Sequence, residues 1–130
     1  MKKKLLAIVD DWEKLEVYET RLSPLYEVQC APFGSYGLQM ARESAGEQRP
    51  EVILIDLVFE DMDEFEAEGI LSADPELSSI PRVLITDLTP DALASKALSE
   101  NSRFLTRPYD FEKLLTILRS PGKPAEEPAP

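Results

Sequence analysis

Val52-Ile53-Leu54-Ile55-Asp56-Leu57 is a run of four apolar residues, three of them β-branched, carried straight into an aspartate. It follows a polar break from Gly46 to Pro50. Such a run reads as a short strand buried on both faces, with a carboxylate at its C-terminal end. In an open α/β sheet that edge is where ligands and chemistry sit. The remaining sequence is therefore read for partners that could reach Asp56.

Working outward, Leu5 to Val9 reads as a first buried strand ending in Asp10-Asp11. Leu15, Tyr18 and Leu22 then fall at helical spacing, and Ser23-Pro24 closes that helix. Tyr26-Glu27-Val28-Gln29-Cys30 alternates apolar and polar, as an edge strand with one wet face does. Gly34-Ser35 opens a second helix with Leu38 and Ala41 inward.

After the central run comes an acidic stretch holding Glu60, Asp61, Asp63, Glu64, Glu66 and Glu68, read as a solvated face. Phe65, Ile70 and Leu71 are the expected buried side of a third helix, stopped by Asp74-Pro75. Gly69 costs that helix about 1 kcal/mol relative to alanine. Val83-Leu84-Ile85 is a fourth buried strand, ending in Thr86. Thr89-Pro90-Asp91 supplies a hydroxyl cap, a proline at the first helical position and an acid at the positive end of the dipole. Leu93, Ala94, Ala97 and Leu98 would form that helix's inner face. Arg103-Phe104-Leu105 is a fifth strand, ending in Thr106-Arg107-Pro108. Asp110 caps a last helix in which Phe111, Leu114, Leu115 and Leu118 repeat at i, i+3, i+4, i+7. From Ser120 onward, four prolines forbid regular helix or sheet.

The pattern predicts an α/β fold of five βα units, with a mostly parallel sheet and helices on both faces. All strand C-termini then share one edge. Asp10, Asp11, Asp56, Thr86 and Arg107 can meet there, however far apart they lie in sequence.

Composition narrows the classes of function. A chain of 130 residues suits one domain, and 43% hydrophobic content supplies a core. A formal net charge of −11 repels nucleic-acid backbone and anionic lipid, so a protein partner or a metal cation fits better. Cys30 is the only cysteine, which excludes an internal disulfide and fits a reducing compartment. The absence of histidine removes histidine metal sites, histidine-based catalysis and a phosphohistidine relay within this chain. The basic, apolar start imitates a secretory signal, but Asp10-Asp11 cuts the apolar run at five residues. No stretch is long enough to cross a membrane, and a cytoplasmic setting is expected.

Three carboxylates at one edge do not all ionise cheaply; either a pKa rises or a cation joins them. A hard divalent ion such as Mg²⁺ is the natural answer. A carboxylate can also attack phosphorus to give an aspartyl phosphate, with cationic and hydroxyl groups holding the transferring oxygens. Arg107 offers the cation and Thr86 the hydroxyl.

At this point the chain resembles the receiver domains of bacterial response regulators. The resemblance rests on Ile8-Val9-Asp10-Asp11, Val52 to Leu57, Asp61-Met62-Asp63, Ala73-Asp74-Pro75-Glu76-Leu77, Ile80-Pro81, Leu84-Ile85-Thr86 and Phe104-Leu105-Thr106-Arg107-Pro108. It implies a flavodoxin-like (CheY-like) doubly wound sheet of strand order 2-1-3-4-5. Residues 1–119 would be the receiver and 120–130 a disordered tail. It implies Asp56 as phosphoacceptor, and Asp11 and Asp56 as Mg²⁺ ligands with the carbonyl of Val58. Asp10 would act through water. Thr86 and Phe104 would be the switch pair and Arg107 the cation that meets the phosphoryl group. The implied partner is a sensor histidine kinase. Output would run through contact with a downstream protein rather than through an enzymatic or DNA-binding domain. A homodimer through the fourth and fifth helices is left open.

The departures from the family pattern are as specific. Arg107 replaces the usual lysine, a planar fork in place of a point charge. Asp87 replaces the small residue after the switch threonine. Glu60 stands for a proline, and Glu64 for a glycine after Asp63. Glu100-Asn101 takes the place of a glycine before the fifth strand, and Trp12 follows the acidic pair. Two readings follow. One is a phosphorylatable receiver. The other is a pseudo-receiver, in which Arg107 is locked on Asp56 and the domain binds its partner constitutively. A nucleotide-binding enzyme on this fold is disfavoured, because neither G-x-x-x-x-G-K-[ST] nor G-x-G-x-x-G occurs.

Overall fold

The structure is a computed structural model that describes residues 2–44, 46–58, 62–96 and 99–120. Their elements alternate: β1 (Lys3–Val9), α1 (Trp12–Leu22), β2 (Tyr26–Ala31), α2 (Gly34–Glu43), β3 (Val52–Asp56), α3 (Glu64–Ala73), β4 (Arg82–Thr86), α4 (Pro90–Ala94), β5 (Ser102–Thr106) and α5 (Phe111–Arg119). A 3₁₀ turn, Gly46–Gln48, fills the polar break before β3. The five strands form one sheet in the order β2-β1-β3-β4-β5, parallel at every pairing. This is the expected doubly wound order, with β2 at an edge.

Strand alternation divides the core in two. Leu5, Ala7, Val9, Val52 and Leu54 face Leu15, Tyr18 and Leu22 of α1 and Leu114, Leu115 and Leu118 of α5. Leu6, Ile8, Ile53 and Ile55 face Leu38 and Ala41 of α2 and Ala67 and Leu71 of α3. Gly37 lets α2 close on β1, since a Cβ there would meet Ile8 Cγ1 at 2.5 Å. Asp56 is next in step after Val52 and Leu54. It is therefore carried toward the α1/α5 face, and only 1% of it is exposed.

Three expectations change. The inward residues of α3 are Ala67, Glu68 and Leu71, while Phe65 is half-buried and Ile70 exposed. Glu68 is thus not part of a solvated face: Arg82, fully buried at the start of β4, holds its carboxylate by two bonds of 2.8 and 3.1 Å. The fourth helix has its expected start, with Thr89 accepting from the Ala92 amide, but it ends at Ala94 and buries no residue. Without an apolar stripe against the sheet, little holds so short a helix. Cys30 is half-buried, and burial pushes its thiol pKa up. Ala97, Leu98, Glu60, Asp61 and the proline-rich stretch 121–130 lie outside the described residues.

Candidate functional site

β1 and β3 are neighbours with Val9 paired to Asp56, so the sheet brings Asp10 and Asp11 to the edge where Asp56 ends its strand. β4 and β5 pair Thr86 with Thr106, which places Arg107 one residue beyond the same edge. The Arg107 amide donates to the Thr86 carbonyl at 2.8 Å, and Thr106 Oγ1 donates to the Leu88 carbonyl at 2.7 Å. These two bonds tie the loops after β4 and β5 together. The Arg107–Pro108 peptide bond is cis.

Asp56 meets three protein groups. Arg107 Nη2 lies 2.6 Å from Oδ1, and Lys14 Nζ lies 3.8 Å from the same oxygen. The Tyr18 hydroxyl donates to Oδ2 at 2.7 Å. That hydroxyl also meets the hydroxyl of Tyr109, from the loop between β5 and α5. Tyr18 has one proton and an ionised carboxylate only accepts, so Tyr109 is the donor between the two phenols. Burial first, and the charge of Asp56 second, push the Tyr18 pKa far above the ordinary phenol value; burial pushes Tyr109 up as well. Both phenols stay protonated.

Arg107 divides its fork. Nη1 donates to Asp87 Oδ1 at 3.0 Å, Nη2 also points to the Leu57 carbonyl at 3.4 Å, and Nε is buried with no partner among the described residues. Burial works against the charge of Arg107, but the bonds to Asp56 and Asp87 outweigh it and its pKa rises. Asp87, 82% exposed at its side chain, is therefore a rim contact on the arginine rather than a wall over Asp56. A cleft of about 520 Å³ between α1 and the β5–α5 loop opens onto this group, lined among others by Lys14, Tyr18, Arg107 and Tyr109.

The expected switch residues are both tied to the start of α3. Buried Thr86 donates its hydroxyl to Glu64 Oε2 at 2.7 Å and accepts from the Leu88 amide. Half-buried Phe104 stacks on Phe65, with centroids 5.1 Å apart and planes 12° off parallel. Glu64 needs no glycine geometry. Asp63 caps α3 through the amides of Phe65 and Glu66, the Glu66 side chain returns a bond to the Asp63 amide, and no described non-glycine residue has positive φ.

The expected metal ligands Asp10, Asp11, Asp56 and Val58 do not gather around a common point. Asp10 Oδ1 accepts from the Val58 amide at 2.8 Å, Asp11 Oδ1 accepts from the Glu13 amide as the cap of α1, and Asp56 is held as above. Among the described residues no group of three acidic side chains is arranged to hold a metal ion. As they stand these residues form no ready-made Mg²⁺ cage. Arg107 and Lys14 lie on Asp56, and backbone amides donate to Asp10 and Asp11.

Lys14, Tyr18 and Tyr109 were missed from sequence as members of the site. A usable signal existed for Tyr18: a tyrosine in a helix's core stripe needs a partner for its buried hydroxyl.

No protein-family model matches the chain. Over 118 residues it is 35% identical to the response regulator PleD of Caulobacter vibrioides, a match covering 88% of this chain and 25% of PleD. It thus spans about a quarter of that relative's length. Over 122 residues it is 31% identical to the protein PilH of Pseudomonas aeruginosa, covering 88% of this chain and 94% of PilH. Among solved structures, the chemotaxis response regulator CheY4 of Vibrio cholerae superposes with a TM-score of 0.71 at 25% identity, over 92% of this chain and 98% of that one. The receiver domain of the Pseudomonas aeruginosa sensor histidine kinase PA1611, solved with a magnesium ion coordinated in its active-site cleft, superposes at 0.72 and 22% identity, over 92% and 96%.

Proposed function

Since the chain belongs to the receiver family of bacterial two-component response regulators, we propose that it accepts a phosphoryl group on Asp56 from a sensor histidine kinase and signals by protein contact. The observation that carries this reading is the meeting of a buried aspartate with a cation at the sheet edge: Asp56 Oδ1 and Arg107 Nη2 are 2.6 Å apart.

In the step proposed, Oδ1 attacks phosphorus and forms an O–P bond. The bond from phosphorus to the donor breaks, and its electron pair leaves with the donor. Arg107 and Lys14 lie beside Oδ1 and offer N–H donors to the phosphoryl oxygens as charge moves onto them. Arg107 is the bulkier cation, but its fork can span two oxygens where an ammonium spans one. The phosphoryl group would draw Arg107 off Asp87 and offer Thr86 an alternative to Glu64. Because Thr86 and Phe104 both lean on α3, that exchange would carry the change to Glu64 and Phe65. The setting we propose is the cytoplasm; no helix among the described residues is long and apolar enough to cross a membrane.

The test is intact-mass spectrometry after incubation with acetyl phosphate, run with and without Mg²⁺. A single added phosphoryl mass on the wild type, absent from Asp56→Ala, is the expected result. No adduct in either magnesium condition contradicts the proposal and leaves the pseudo-receiver, with Arg107 locked on Asp56.

A further inference from the structure

The transfer chemistry uses Arg107 and Lys14 on Oδ1 and leaves the phenol on Oδ2 without a task. Tyr18 lies in the core stripe of α1 with Leu15 and Leu22, and 4% of it is exposed. Its ring is packed, its hydroxyl meets Oδ2 at 2.7 Å, and Tyr109 backs it from the far side. We propose that Tyr18, backed by Tyr109, is a positioning residue that acts as a brake: it holds Oδ2, leaves Oδ1 to take the phosphoryl group, and shortens the life of the acyl phosphate. The inference rests on the phosphoacceptor reading of Asp56.

A hydrogen bond to an ionised carboxylate is stronger than one to a neutral carbonyl. Once Oδ1 is esterified by phosphorus, Oδ2 becomes the carbonyl oxygen of a mixed anhydride and its bond from Tyr18 weakens. When the phosphoryl group is lost, a water oxygen attacks phosphorus and the Oδ1–P bond breaks. Its electron pair returns to Asp56, inorganic phosphate departs, and the surplus proton goes to solvent. Negative charge then spreads back over both oxygens, where the Tyr18 hydroxyl stabilises it. The phenol therefore favours the leaving carboxylate over the acyl phosphate. The same bond makes the free carboxylate a poorer nucleophile on the way in. Tyr109 donates to the Tyr18 oxygen and so strengthens the Tyr18 donor.

Tyr18→Phe removes the hydroxyl and keeps the ring that fills the core. The experiment loads the full chain from acetyl phosphate, removes the donor, and follows loss of the phosphoryl mass with time. Tyr18→Phe is expected to hold the group about five- to tenfold longer than the wild type and to load faster. Tyr109→Phe is expected to shift both rates the same way by about two- to threefold. Tyr26→Phe, which alters a phenol in the same core cluster at the start of β2, is expected to leave both rates unchanged. A structural role alone would move melting temperature in Tyr18→Phe and Tyr26→Phe without separating their lifetimes. Equal or shorter lifetimes in Tyr18→Phe and Tyr109→Phe overturn the brake while Asp56 remains the acceptor. No adduct on any variant overturns the proposed function, and the brake with it.

Discussion

Arg82 and Arg107 stand at opposite edges of one sheet, and each meets a buried acid. Arg82 opens β4 and Arg107 follows β5. Arg82 uses its whole fork: Nε and Nη2 on Glu68, Nη2 also on Ser72 Oγ, and Nη1 on the carbonyls of Ser78 and Ile80, all between 2.8 and 3.1 Å. Arg107 leaves Nε without a partner among the described residues and places Nη1 on the exposed Asp87. Its acid also accepts from Tyr18 and has Lys14 at 3.8 Å, so Arg107 is not the whole support. The first pair is closed and fixes α3 to β4. The second is open at its rim and replaceable. An arginine can thus be a strut or a moving part, and the distinction lies in how many of its donors a competing oxygen could satisfy better.

The largest effect expected from this contrast is on stability. Arg82→Ala strands the Glu68 carboxylate in the core and should cost about 3–5 kcal/mol. Arg107→Ala leaves Asp56 with Lys14 and Tyr18 and should cost about 1–2 kcal/mol. Asp87→Ala, at the solvent rim, should not move the midpoint beyond error. Urea titration of the three variants orders them; equal losses at Arg82 and Arg107 would erase the distinction.

A smaller effect sharpens the closed pair. Burial alone would raise the Glu68 pKa, but the bonds from Arg82 and Ser72 and the Arg82 charge help hold the carboxyl below its ordinary value. A depressed folded-state pKa gives stability that is fully present above the unfolded value, about 4.3. It is lost as pH falls through the folded value. Stability followed from pH 7 to pH 3 should therefore fall less steeply in Glu68→Gln than in the wild type. Parallel curves would show that Arg82 does not depress that carboxyl.

Much of the architecture was readable from alternation and strand ends. Val52, Leu54 and Asp56 share a parity, and that parity sends the acceptor toward α1. Asp10, Thr86 and Arg107 were identifiable because each ends or follows an apolar run. What escaped depended on side-chain reach across elements. Tyr18 read as plain core because its ring is core; only its last atom belongs to the site. Glu68 read as solvated because it lies in an acidic run, yet it sits between Ala67 and Leu71 on the inner side of α3. Its partner Arg82 looked like a flank of the strand Val83–Ile85 rather than its first buried residue. Glu64 read as a misplaced glycine position, and the structure gives it an occupation on Thr86. The fourth helix had sound start signals, but start signals do not supply a buried face. The metal set was inferred from three nearby acids. Amides and cations within the chain also engage those acids.

The most direct measurement follows the Nε–Hε resonances of Arg107 and Arg82 by ¹⁵N NMR as acetyl phosphate is added. The account predicts that the Arg107 resonance moves as Asp56 takes the phosphoryl group, while that of Arg82 stays in place. An Arg107 signal that does not move on a phosphorylated chain, or an Arg82 signal that moves as far, would contradict it.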